Sequence, residues 1–161
     1  MDYSEPSTPS DRLAADHREI DALFLEASAA MDSGPASAAH TALDRVWMRL
    51  AVHVRAEHKV LFPALEETRP ELGGQIQVLR EDHDFFMSSL MEGVRSLQDP
   101  SPDRESAKAA MEALRARLTS HNAVEEQQIY PAADQLSELQ RTLLLKGILQ
   151  ELAFLPRRYR P

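Results

Sequence analysis

Along most of the chain, apolar residues recur at intervals of three and four, the spacing that gathers them on one face of an α-helix. Leu13, Ile20 and Phe24 form one stripe together with His17, and Trp47, Leu50, Val54 and Leu61 form a second. Leu79, Phe86 and Leu90 make a third, and Met111, Leu114, Leu118 and Val124 a fourth. Glycine and proline interrupt the pattern at Ser33-Gly34-Pro35, from Arg69-Pro70 to Gly73-Gly74, and at Asp99-Pro100-Ser101-Pro102. The spacing therefore predicts helices over 9–32, 36–66, 75–98 and 102–130. Thr8-Pro9 and Ser101-Pro102 each set a capping hydroxyl before a first-turn proline, and Gly34 can close the first helix in a left-handed conformation. Short links between long helices make sequence neighbours antiparallel, so the expected fold is all-α, an up-down-up-down four-helix bundle.

A further helix is predicted over about 137–155, beginning at Ser137. Its Leu143, Leu144, Leu145, Ile148, Leu149, Leu152, Phe154 and Leu155 are more apolar surface than a tail needs. We expect it to cover one end of the bundle, with a homodimer contact as the alternative. The 161 residues read as a single domain, with the bundle over about 9–132.

Composition narrows the function. Eighteen Lys and Arg against 26 Asp and Glu give a net charge of −8, which disfavours nucleic acid and anionic membrane as partners. The basic run Arg157 to Arg160 is too short to reverse that. The absence of cysteine excludes disulfides, thiolate zinc sites and Cys-ligated iron–sulfur clusters. The opening MDYSEPSTPS has no apolar core of a secretory signal and no stretch is long enough to span a bilayer, so the expected location is cytoplasmic.

The strongest signal is a repeat. His53-Val-Arg-Ala-Glu57 and His121-Asn-Ala-Val-Glu125 share one spacing, and each is followed by a proline six residues after the Glu, Pro63 and Pro131. Each proline must kink or end its helix. The first and third helices each carry Asp-His, at Asp16-His17 and Asp82-His83. The chain is thus a degenerate two-fold repeat of helical hairpins. In an antiparallel hairpin, residues equidistant from the turn share a height. His17 and His53 are centred on residue 35 and His83 and His121 on residue 102, both in predicted turns. His53 and His83 are centred on residue 68, at the edge of the middle break. All four histidines fall in one layer. Glu57 and Glu125, four residues on, lie about 6 Å along the axis and about 40° around it from their histidines.

Four imidazoles and two carboxylates inside a bundle call for a cation, because buried carboxylates close together are costly without one. Imidazole with carboxylate suits iron, manganese or zinc. Two His per metal with two bridging Glu describes a dinuclear centre. The pattern lacks the Glu-x-x-His of ferritin-like carboxylate sites and the His-Glu-x-x-His of zincins.

The set His17, His53-x-x-x-Glu57, His83, His121-x-x-x-Glu125, with its Phe-Pro and Tyr-Pro endings, resembles the hemerythrin-like (HHE cation-binding) family over about residues 10–132. The resemblance implies two Fe ions with a bridging oxo or hydroxo group. It implies that His17 and His53 serve one iron, His83 and His121 the other, and that Glu57 and Glu125 bridge. Oxygen-carrying hemerythrins have a fifth His four residues after the lone His of the third helix, where this chain has Met87. Asp21, Glu126, Tyr130 and water are the candidates to complete the coordination. A more open pair favours chemistry on peroxide, nitric oxide or oxygen over simple reversible carriage.

The expected function is therefore that of a non-haem di-iron protein binding or reacting with a small diatomic or peroxide ligand. A catalase-like or nitric-oxide-reducing enzyme, an iron storage or delivery protein and a metal-free interaction bundle are the rivals. Among the remaining polar residues, His40 lies about 20 Å along its helix from His53 and is left out. His58 and Glu126 are expected to point aside, and Asp16 and Asp82 to face solvent rather than a partner. Phe24, Trp47, Phe62, Phe85, Phe86 and Met87 are expected in the core, some of them walling the pocket.

Overall fold

In a computed structural model, residues 8–156 are described; the basic run 157–160 and most of the opening segment lie outside them. The described residues are all-α, with no strand among them. Helix α1 spans Pro9–Asp32, and α2 spans Ala36–Ala56 and runs through a widened π-turn, Glu57–Leu61, into α3, Phe62–Thr68. A short 3₁₀ turn, Pro70–Leu72, leads to α4, Gly73–Ser96. Helix α5 spans Arg104–Val124 and passes through a second π-turn, Glu125–Ile129, into α6, Tyr130–Asp134. The last helix, α7, spans Glu138–Leu152.

The ends follow local chemistry. The Thr8 hydroxyl accepts the Asp11 N–H at 3.0 Å, and Gly34 takes φ +89° just after α1, a conformation that side chains rarely adopt. The cap of α5 is Asp103 rather than the expected Ser101. Its carboxylate accepts both the backbone N–H and the hydroxyl of Ser106, at 3.0 and 2.7 Å, and so starts the helix two residues later. Ser137 and Gln140 form a reciprocal capping box at α7.

Neither Pro63 nor Pro131 stops its helix where it stands. The regular α-helix gives way at the motif Glu, upstream of each proline. The Phe62 N–H donates to the Glu57 carbonyl and the Tyr130 N–H to the Glu125 carbonyl, five residues back instead of four. Widening the turn makes room for a ring that cannot donate and that would clash with the carbonyl four residues before it. The same solution appears in both halves of the repeat.

Helix α1 packs on α2, α2 on α4, α4 on α5, and α5 back on α1. Cross-helix partners run in reverse order. Arg49 meets Asp16 and Arg45 meets Glu26 between α1 and α2, while Asp82 meets Arg117 and Gln75 meets Gln128 across the α4 side. The apolar interior is divided in two. One core, built on Ile20, Phe24, Leu43, Leu50, Phe86 and Leu90, fills the end near the first and third turns. The other is built on Leu13, Leu61, Phe62, Leu65, Ile76 and Tyr130. Helix α7 closes this second core with Leu144, Ile148 and Leu152, so it does cover one end, while Leu139, Leu143, Leu149 and Phe154 stay exposed.

Helix α7 approaches the first π-turn closely at Gly147. A Cβ built there lies 2.9 Å from Val60 Cγ1, on a branched side chain with little freedom to move. Gly147→Val is therefore expected to destabilise the fold by about 1–3 kcal/mol, the usual cost of overpacking. A lowered thermal midpoint checks this, and an unchanged one would mean that α7 is free to shift.

Candidate metal centre

Between the two apolar cores lies a polar layer. The buried polar residues of the described chain are Asp16, His17, Arg49, His53, Glu57, His83, His121 and Glu125. All six residues singled out from the repeat are among them, and their side chains converge. His17 Nε2 is 3.1 Å from His53 Nε2, and His83 Nε2 is 2.9 Å from His121 Nε2. Each carboxylate spans the two pairs. Glu57 puts Oε1 3.3 Å from His53 Nε2 and Oε2 3.3 Å from His83 Nε2. Glu125 puts Oε2 3.2 Å from His17 Nε2, and Oε1 3.1 Å from His121 Nε2 and 3.5 Å from His83 Nε2.

The four Nε2 atoms point inward because the four Nδ1 atoms are engaged outward. His17 Nδ1–H donates to Glu126 Oε1 at 2.7 Å, His53 Nδ1–H to Asp16 Oδ2 at 2.9 Å, and His121 Nδ1–H to Asp82 Oδ2 at 3.1 Å. His83 Nδ1 lies 2.8 Å from His58 Nε2. A carboxylate on Nδ1 fixes the proton there and leaves the Nε2 lone pair of a neutral ring facing the layer.

These outer partners correct the sequence expectation. Asp16 is fully buried; it serves the histidine of the neighbouring helix, not its own neighbour His17, and is also paired with Arg49. Asp82 does the same for His121. Glu126 and His58, expected to point aside, hold His17 and His83. The available signal was the Asp-His dipeptide, written once in each half of the repeat. Asp21 is not at the layer edge waiting for a ligand, since Arg115 holds both its oxygens at 2.6 and 3.0 Å. Met87 packs against the first core, and His40 Nε2 sits 3.1 Å from the Gln98 amide near the other end of α2.

Tyr130, one of the candidates, does reach the centre. Its hydroxyl donates to Glu57 Oε1 at 2.6 Å and lies 3.2 Å from Glu125 Oε2 and 2.9 Å from His17 Nε2. Aromatic rings seal the flanks. Tyr130 stacks on His17 with centroids 5.5 Å apart, Phe62 stacks on His83 at 5.9 Å, and Phe86 meets His121 edge-on at 5.1 Å.

The electrostatics are those of acidic groups shut in with bases. Burial opposes charge on His53, but Glu57 and Asp16 outweigh it and hold its pKa well above the ordinary value. Burial likewise opposes charge on Glu125, yet the bonds from His121, His17 and His83 hold its pKa well below the ordinary carboxylate range. Burial and then the nearby Glu125 and Glu57 push the Tyr130 pKa well up. Glu57 Oε2 is buried with no hydrogen-bond donor aligned on it. An orphaned carboxylate oxygen facing two pairs of imidazole nitrogens is a donor set suited to a cation.

Two groups of donor atoms could each hold a metal ion. In one, the atoms of His17, His53, Glu57 and Glu125 all lie within 4.8 Å of one another; in the other, so do those of His83, His121 and Glu125. Glu125 is common to both.

A helical bundle with imidazoles and carboxylates gathered in a buried layer defines a cation-binding protein of the bundle class. The chain matches the Hemerythrin HHE cation binding domain over residues 8–133, and it belongs to that family. Comparison with curated proteins returned no match, and neither did comparison with solved structures.

Proposed function

We propose that this chain is a hemerythrin-like non-haem di-iron protein that binds or reacts with a small ligand, namely oxygen, nitric oxide or peroxide. The observation that carries the reading is the layer itself. Two pairs of Nε2 atoms and two spanning carboxylates face one another, and Glu57 Oε2 is left without a donor. His17 and His53 would hold one ion, His83 and His121 the other, with Glu57 and Glu125 shared. Two irons bound there supply Lewis acidity and electrons to a small ligand.

The chain's own residues do the rest. Asp16, Glu126, Asp82 and His58 orient the imidazoles and fix which nitrogen is free. Phe62, Phe86 and Tyr130 wall the layer against water. The Tyr130 hydroxyl is the one buried protic group of the centre besides the imidazoles, and it is placed to hold a hydrogen bond to either carboxylate.

Protein purified from iron-supplied growth is expected to carry about two irons per chain and a near-ultraviolet band from an oxygen bridge. Metal-free protein of undiminished stability would overturn the reading in favour of an interaction bundle. Rapid gas evolution on adding peroxide would identify turnover, and reversible bleaching under oxygen would identify carriage.

A further inference from the structure

The internal repeat relates the centre residue by residue. An offset of 66 carries Asp16-His17 onto Asp82-His83, and an offset of 68 carries His53, Glu57, His58 and Phe62 onto His121, Glu125, Glu126 and Tyr130. The contacts obey the same relation. Asp16 on His53 is matched by Asp82 on His121, Phe62 over His83 by Tyr130 over His17, and His58 on His83 by Glu126 on His17.

The relation breaks in chemistry at two of these positions. His17 leans on a carboxylate where His83 leans on an imidazole. Tyr130 brings a hydroxyl where Phe62 brings only carbon. The first break favours the His17–His53 half. A carboxylate on Nδ1–H makes an imidazole a better donor and adds negative charge next to it, whereas an imidazole in the same place adds none. The Tyr130 hydroxyl holds Glu57 Oε1 at 2.6 Å and lies 3.2 Å from Glu125 Oε2, so it touches both spanning carboxylates and does not by itself favour either half.

We infer that the two cation positions are unequal, that the His17–His53 position binds more tightly and fills first, and that Glu126 sets this order through His17. The inference rests on the dinuclear reading above. Glu126 is a positioning residue, since it touches the ligand imidazole and not the ion.

Repulsion between two cations would separate two binding events even in a symmetric centre, so the order must be read by location. Fe2+ is titrated anaerobically into the metal-free full-length chain and followed by calorimetry, with helical circular dichroism confirming that each variant folds. His121→Ala keeps the His17–His53 half and His53→Ala keeps the other. The His121→Ala chain is expected to bind Fe2+ about tenfold more tightly, a value at the low end of what a partner to a ligating histidine contributes. Adding Glu126→Gln to His121→Ala removes that advantage, while adding it to His53→Ala changes nothing. Adding His58→Glu to His53→Ala, which gives the second half a carboxylate, tightens its site by a similar factor. Equal affinities in the two single-site chains, or equal weakening of both by Glu126→Gln, would overturn the inference. A wild-type chain that takes up fewer than two Fe2+ contradicts the dinuclear reading itself.

Discussion

After growth on iron, the Glu125→Ala chain is expected to be purified nearly free of metal, the His53→Ala chain with less than half the wild-type content, and the His40→Ala chain with all of it. The ranking follows from where the atoms are. Glu125 offers one oxygen to His17 and the other to His121 and His83, so its loss removes a donor from both positions at once. His53 faces the layer with one nitrogen, on one side only. His40 lies at the opposite end of α2, where its partner is Gln98. Metal held in this way also stabilises the fold, because the unfolded chain has no such site. An ion present at a hundred times its dissociation constant adds about 2.7 kcal/mol. At about 2–4 °C per kcal/mol for a chain of this length, a strong chelator should lower the melting temperature of the wild type by roughly 5–10 °C. It should barely move that of Glu125→Ala. Atomic absorption and a melting curve with and without chelator decide the matter, and equal metal loss in all three variants would contradict the layer.

Asp16→Ala is expected to damage the metal-free fold far more than the matching change Asp82→Ala. Asp16 has no exposed surface, and its two oxygens are shared between Arg49 and His53, with Arg12 3.7 Å away. Burial by itself would raise its pKa, but His53, Arg49 and Arg12 outweigh that and hold the carboxyl below its ordinary value. Removing it leaves the guanidinium of Arg49, itself buried, with only the half-exposed Glu19 at 2.7 Å, and His53 Nδ1–H with no acceptor. Breaking a buried pair from one side costs about 3–5 kcal/mol when the remaining charge is left unpaired, and because Glu19 still reaches Arg49 the expected loss is at the low end, about 3 kcal/mol. Its repeat mate Asp82 is about a quarter exposed and pairs with Arg117, which solvent can reach. Asp82→Ala should therefore cost about 1 kcal/mol or less. Both substitutions should weaken metal binding by about 10–100-fold, since each frees the Nδ1 of a ligand histidine. Urea unfolding of the metal-free variants separates the two, and equal small losses would show that the Asp16–Arg49 pair does not brace the bundle.

The height of the centre was legible in the sequence because helices are rigid rods. Once the turns at Gly34-Pro35 and Pro100–Pro102 are recognised, counting residues outward fixes which side chains meet. That count set the four histidines at one height, and the repeated His-x-x-x-Glu spacing added the two glutamates. The partners behind them did not, for a physical reason. Asp16 and His58 were each judged by direction from a histidine on their own helix, and each points well away from it. In a bundle that direction leads to another helix. Asp16 meets His53 on α2, and His58, in the π-turn that continues α2, meets His83 on α4, so this one rod has to present chemistry to two neighbours at once. Periodicity reads one stripe per helix and assigns whatever lies off the stripe to solvent. The two π-turns were hidden for a related reason. A proline announces that regular hydrogen bonding fails, and the sequence does not say how many residues upstream the backbone will adjust.

The division of the apolar interior into two parts has a mechanical consequence. A continuous hydrophobic core resists shear between its ends, since any sliding opens voids along its whole length. Here the four long helices are crossed at mid-height by a slab of charged and hydrogen-bonding groups, with apolar packing above and below it. Ions bound across the slab would act as a weld, and the two ends of the molecule would then be expected to unfold together. Without them it would be a fault line, and the end carrying the first and third turns would be expected to loosen before the end sealed by α7.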